Sequence, residues 1–163
     1  MESYHTITYK TIEEQDLSSI EKNLHGEAIA ALDKSYAPYS NFNVGCSVLL
    51  DNGALISGAN QEVASYPVCI CAEGVALSAA SSMHLGIGVK ALFVVAKNKK
   101  GILNETIAPC GVCRQRIVEY EVRQGKPITL YLKGKNNSIV VFSSAKDLLP
   151  FAFGPEHLPI SNV

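Results

Sequence analysis

Two short pieces of this chain make chemical sense only if they meet in space: Cys71-Ala72-Glu73 and Pro109-Cys110-Gly111-Val112-Cys113. Three thiolates form a zinc-ligand set with one coordination position left over. A structural zinc site is closed by four protein ligands, whereas a catalytic one keeps three and leaves the fourth for water. Glu73, two residues from the first cysteine, can act on whatever fills that position. Cys110 and Cys113, three apart, fall on one face of a helix. The first turn of a helix carries free N–H groups and partial positive charge, which favour the thiolate form that binds metal. Between Cys71 and Cys110 lie 38 residues, enough for one helix and one strand. The fold must therefore bring two helix N-termini together. An α/β sheet does this at the carboxyl ends of two parallel, neighbouring strands.

The remaining pattern fits such a sheet. Leu17, Ile20, Leu24, Ala28 and Ala31 recur at helical spacing, Ser18 and Glu21 form a capping box, and Pro38 stops this first helix, read over residues 17–36. Val44, Cys46, Val48 and Leu50 alternate, Asn52-Gly53 supplies a tight turn, and residues 54–59 return as a hairpin. A helix is expected over residues 71–84. Residues 89–96 are a nearly unbroken apolar run, suited to a strand buried on both faces. A charged turn follows over residues 97–101, read as a solvated loop. A second helix is expected from Cys110 to Gly125, strands over 128–132 and 139–142, and a short helix over 146–149. Residues 1–12 form an arm or an added strand. The order predicts one domain over 1–163, a three-layer α/β/α sandwich around a mixed sheet of about five strands.

Composition narrows the function. Hydrophobic residues are 47%, charged residues 18% and the net charge is −1, so the chain buries a core and lacks the basic face of a nucleic-acid binder. No apolar run approaches a membrane span and no charged-then-apolar leader opens the sequence. With an odd five cysteines, several of them clustered, metal binding in a reducing cytoplasm is expected over disulfides. One alternative is a closed structural site, with Cys69 joining Cys71, Cys110 and Cys113. Cys46 reads as a small buried strand residue. His5, His25, His84 and His157 lie outside the motifs and read as surface or satisfied histidines.

The chain resembles the cytidine deaminase family, of the compact homotetrameric type with three cysteine ligands. Five ordered segments carry the resemblance: Tyr36-Ala37-Pro38-Tyr39-Ser40-Asn41-Phe42-Asn43-Val44-Gly45; Gly58-Ala59-Asn60-Gln61-Glu62-Val63-Ala64-Ser65-Tyr66; the two cysteine pieces, the second running on through Arg114-Gln115; and Leu148-Leu149-Pro150-Phe151-Ala152-Phe153-Gly154-Pro155-Glu156. The resemblance implies one zinc per subunit held by Cys71, Cys110 and Cys113, with Glu73 as proton shuttle. It implies that Asn60 and Glu62 hold the ribose hydroxyls and that Phe42 packs on the pyrimidine. Backbone groups near Ala72 and Ala108 would read the base. Phe153, and Tyr66 with it, would reach a neighbouring subunit's site in a homotetramer with shared active sites. The implied reaction is hydrolytic deamination of free cytidine or 2′-deoxycytidine in pyrimidine salvage, with no nucleic acid or membrane as partner.

Three departures bear on that expectation. Gly74 stands where the family usually has an arginine, understood there to offset the charge of the ligand sulfurs; Arg114 or the two helix ends are the candidates to compensate. Val63 replaces a common asparagine, and Pro67-Val68-Cys69-Ile70 lines the approach to the first zinc piece. They motivate two further readings: deamination of a modified or N4-substituted cytosine nucleoside, and a catalytically weakened zinc-binding homologue that binds nucleoside or assembles.

Overall fold

The computed structural model describes residues 2–103 and 105–159. Its elements are β1 (Lys10–Glu13), α1 (Ser19–Ala31), β2 (Asn43–Leu50), β3 (Leu55–Ala59), α2 (Ala72–Met83), β4 (Val89–Asn98), β5 (Gly101–Ile102), α3 (Gly111–Gln124), β6 (Thr129–Lys133) and β7 (Ser138–Phe142). The sheet runs β1-β7-β6-β4-β2-β3, with β5 on the end of β4. Among the strands of the described residues, only the β4–β6 pair is parallel and every other pair is antiparallel.

Alternation along the central strands builds two cores. Val48, Leu50, Leu92, Val94, Leu130 and Leu132 pack with Ala72, Ala76, Leu77, Ile117 and Val118 of α2 and α3. Leu49, Ala91, Phe93, Val95 and Tyr131 face the other way, against Leu24 and Ala28 of α1. The nearly unbroken apolar run of β4 is thus buried on both faces from Ala91 to Ala96, and the three layers are those the sequence predicts. Seven strands are found among the described residues where about five are expected. The additions are β1, a short polar edge strand paired with β7, and β5, whose two residues are too few to show a periodicity. The capping box holds: Glu21 N–H donates to Ser18 Oγ at 3.4 Å and Ser18 N–H to Glu21 Oε2 at 2.7 Å. The first helix ends at Ala31 and passes through a 3-10 turn, Leu32–Lys34, before Pro38 is reached. The expected helix over 146–149 is a 3-10 turn at Ala145–Asp147, and Ile20 is 40% exposed, off the buried stripe.

Two glutamate and histidine placements were not readable from periodicity. Glu121 of α3 is buried and accepts from Ile128 N–H (2.8 Å), Ala145 N–H (2.9 Å) and Ser144 Oγ (2.8 Å). It fixes α3 against the start of β6 and the C-terminal segment. His25 is neither at the surface nor satisfied. It is 5% exposed, stacks on Phe93 at 4.5 Å, and its Nε2 has no hydrogen-bond partner among the described residues. Its Nδ1 lies 3.4 Å from Glu14 Oε1, and Glu14 in turn holds Lys133 at 2.8 Å.

Burial pushes the His25 pKa down, opposed by the Glu14 charge and assisted by Lys133. The hydrogen bond from Lys133 leads the causes that hold Glu14 below its ordinary value. For a depressed histidine the unfolded chain takes up the proton first. Stability is therefore full above about pH 6.5 and falls as the pH drops toward the folded value. The Glu14 contribution is lost at lower pH, beneath the ordinary carboxylate range. The urea midpoint is accordingly expected to fall between pH 7.5 and 5.5, and His25→Phe, which keeps the stack on Phe93, is expected to flatten that slope. An unchanged slope in the variant would remove His25 as the cause.

Candidate active site

Because β4 and β6 are parallel and α2 and α3 each precede one of them, both helix N-termini lie beside the carboxyl ends of those strands. Cys71 is the N-cap residue of α2 and Cys110 that of α3, and Cys113 is buried in the first turn of α3. Neither N-cap thiol makes a side-chain capping bond, so each helix forgoes a contribution typically worth about 1 kcal/mol and keeps its sulfur free. The three sulfurs lie within 4.8 Å of one another, Cys71 and Cys110 at 3.6 Å. Tetrahedral zinc with Zn–S bonds near 2.3 Å requires sulfurs roughly 3.8 Å apart, so the donor set fits that ion in spacing and in softness. Cys69 is not part of it. Its Sγ accepts from Val63 N–H at 3.2 Å and lies 3.6 Å from the Val63 carbonyl oxygen. The cluster is thus a three-sulfur set, and the closed four-cysteine alternative fails.

The cluster is electrostatically polarised. The Cys71 thiol is pulled down to about 6, mostly by its hydrogen bond with Cys113, then by Cys110 and the positive charge of Arg116, against burial. The same Cys71 contact, with burial, drives Cys113 upward. Glu73 is 4% exposed. Burial pushes its carboxyl up, the Cys71 charge adds to this, and its own backbone N–H opposes it. Cys46 lies fully buried in β2, its thiol raised by burial and by the Glu73 charge, which makes it an inert packing residue as expected.

Glu73, Cys71 and Cys110 line a cavity of about 560 Å³, with Phe42, Asn60, Glu62, Tyr66, Ala72 and Ala108 also in its wall. One loop positions two of these. Residues 60–62 are held on one side by Tyr36, through Tyr36 N–H to Asn60 O (3.0 Å) and Glu62 N–H to Tyr36 O (2.8 Å). On the other side Gln61 and Ile70 exchange bonds at 2.9 and 3.0 Å. The Asn60 amide is oriented by its partners. Oδ1 accepts from Val44 N–H (2.8 Å) and Ser35 Oγ (2.6 Å), and Nδ2 donates to Phe42 O (2.9 Å). A backbone N–H can only donate, so the oxygen must face Val44. One amide hydrogen is left over. Glu62 Oε2 accepts from Tyr39 N–H (2.9 Å) and Ser40 N–H (3.2 Å), and Oε1 from Ser40 Oγ. The Ser40 hydroxyl leads the causes that hold the Glu62 carboxyl below its ordinary value, and one acceptor lobe of Oε1 remains. The wall therefore offers one donor beside one acceptor, the complement of a hydroxyl.

Phe153 does not join this cavity. It is 57% exposed and stacks on His157, and its backbone is gripped by Gln115, with Phe153 N–H to Oε1 at 3.2 Å and Nε2 to Phe153 O at 2.6 Å. Tyr66 sits at the rim of its own chain's cavity, edge-on to Tyr39 at 5.8 Å. The sequence pattern misses Ser35, Ser40, Gln115 and Arg116. Of these, only Arg116 has a readable signal: it lies three residues after a ligand cysteine, on the same helical face. Arg114, one of the expected compensators for Gly74, is committed elsewhere, to Pro109 O (2.8 Å) and Leu148 O (3.1 Å).

Comparison with known proteins agrees with this geometry. The family model for the cytidine and deoxycytidylate deaminase zinc-binding region matches residues 18–126. The cytidine deaminase of Halalkalibacterium halodurans is 39% identical over 132 residues, covering 81% of this chain and 92% of that protein. The Mycobacterium tuberculosis cytidine deaminase is 33% identical over 139 residues, covering 83% and 91%. The crystal structure of cytidine deaminase from Burkholderia pseudomallei superposes with a TM-score of 0.70 at 38% identity, covering 81% of this chain and 98% of that one. With the three-layer fold, the three-sulfur cluster and these similarities in agreement, the chain belongs to the cytidine and deoxycytidylate deaminase family of zinc-binding proteins.

Proposed function

We propose that this protein is a zinc-dependent hydrolase that converts free cytidine and 2′-deoxycytidine to the uridine products and ammonia, with one zinc per subunit held by Cys71, Cys110 and Cys113. The carrying observation is the buried Glu73 beside three converging sulfurs, at a cavity whose wall also presents Asn60 and Glu62. When bound, the metal lowers the pKa of a water into the neutral range and so supplies the nucleophile. Glu73 takes the proton from the water that adds to C4, gives it to the ring N3, and then carries a proton to the departing amine. Its raised pKa suits a group that must hold a proton and release it within one turnover. Asn60 donates its free amide hydrogen to a ribose hydroxyl, and Glu62 accepts from one. Phe42 packs against the pyrimidine, and backbone groups at Ala72 and Ala108 read its carbonyl and amine.

The exposed Phe151 and Phe153 near the C-terminus support a homotetramer in which Phe153 reaches a neighbouring subunit's site. A cavity of about 560 Å³ and a net charge of −1 favour free nucleosides over polynucleotides, and pyrimidine salvage in the cytoplasm is the corresponding role. No helix among the described residues is long and apolar enough to cross a membrane. Cys69 and Ile70 line the same cavity and favour, as a second reading, a cytosine nucleoside bearing a substituent on the base. Ultraviolet-monitored kcat/KM for cytidine, 2′-deoxycytidine and N4-substituted cytidines tests both. Turnover of the unmodified pair is the expected result; activity confined to substituted bases would replace it with the second reading. Zinc-loaded protein that binds nucleoside without turnover would sink both.

A further inference from the structure

We propose that Arg116 is a positioning residue for the metal centre: its guanidinium enters from α3 through the space left by Gly74 and supplies the positive charge that the three-thiolate set lacks. The inference rests on reading that set as a zinc site. Zinc with three thiolates carries a net charge of −1, and an anionic centre partly withdrawn from water, with Cys113 buried, is stabilised by a positive partner. Gly74 lies one turn into α2 from Cys71, and Arg116 one turn into α3 from Cys113, each on the face of its ligand. The two helices meet there. Arg116 Nη1 donates to the Gly74 carbonyl at 3.2 Å. A Cβ on residue 74 would stand 2.7 Å from that nitrogen and 3.5 Å from Cζ, so the guanidinium occupies the space a side chain there would claim. Arg116 is half-buried, and among the described residues no carboxylate pairs with it. Its charge is therefore free to act on the sulfurs, and glycine at 74 is what admits it.

The test is zinc retention, measured apart from turnover. Zinc-loaded wild type, Arg116→Met, Arg116→Lys and Gly74→Ala are challenged with a chromogenic chelator, and folding is followed by the Tm of the metal-free proteins. Arg116→Met is expected to weaken zinc binding by roughly 10–100-fold, the range seen when a residue supporting a metal ligand is removed, with the metal-free Tm near wild type. Arg116→Lys, which keeps the charge but loses the planar fork, is expected to fall between. Gly74→Ala is expected to weaken zinc retention even though alanine is the better helix former. Arg116→Met retaining zinc as tightly as wild type overturns the proposal. So does a loss that Arg116→Lys shares in full, because that marks packing and not charge. Wild-type protein that binds no zinc defeats the metal reading along with it, whereas a tightly loaded wild type and an equally tight Arg116→Met defeat only the role of Arg116.

Discussion

Glu73→Ala is expected to lower kcat for cytidine by about 10⁴-fold, the upper end of what a positioned acid–base group contributes, while zinc content stays at the wild-type level. The upper end applies because one carboxyl serves both proton transfers, so its loss touches addition and departure alike. Zinc stays because the proposed ligand set is Cys71, Cys110 and Cys113 and does not include Glu73. The fold should not suffer. A carboxyl that burial pushes toward its protonated form is a cost to folding, and replacing it by an apolar group tends to stabilise. Glu73→Gln, which fills the same volume, should lose as much activity; an empty space is then not the cause. Metal-loaded Glu73→Ala with wild-type kcat would end this mechanism.

Gly58→Ala is expected to damage both the fold and the rate. A Cβ on Gly58 of β3 would lie 2.5 Å from Ala76 N and 2.7 Å from Ala72 O. Both atoms belong to the backbone of α2, so no flexible side chain can give way. Overpacking of this kind costs about 1–3 kcal/mol, and contact with backbone places this case at the top of that range. The larger effect should be on rate. The turn that must move is the first of α2, which carries Glu73 and follows Cys71. A displacement near 1 Å at a reacting group costs roughly 10²-fold. The expected result is a protein that still folds, with Tm reduced and kcat down by about 10²-fold, more than its loss of folded fraction explains. Equal loss of kcat and of folded population would show that Gly58 matters only for stability.

Much of this arrangement was legible from pattern. A four-residue chemistry in two pieces, placed at helix starts, demands parallel neighbouring strands, and β4 and β6 supply them. The run of β4 reads as doubly buried because every position from Ala91 to Ala96 is apolar, and the hairpin reads from its alternation and Asn52-Gly53. What escaped has a common cause. Glu121, His25, Ser35 and Arg116 act through partners far away in sequence, and periodicity reports only which face a residue occupies, not what stands opposite. Polar residues on a helix look solvent-facing by default, so a glutamate that caps two distant backbone N–H groups is indistinguishable from a surface one. The edge strand β1 was legible only as an arm or an added strand over residues 1–12, because its register comes from β7. Gly74 was visible as an oddity, but its meaning needed the far side of the helix pair.

The loop holding Asn60 and Glu62 has a consequence for how such a protein can change over generations. Asn60 already makes three bonds to its own chain, and Glu62 binds two backbone N–H groups and a hydroxyl. Their order is established on folding, so a sugar bound as proposed finds them in place and little entropy is lost in meeting them. The same economy removes freedom. A substitution at either position disturbs the frame of the cavity along with its specificity, so the sugar wall cannot drift without risk to the fold. Ile70 carries no such duty through its side chain, and the Cys69 sulfur touches only the backbone of Val63. Divergence toward new bases is therefore channelled to that segment, while recognition of the sugar stays locked to the architecture.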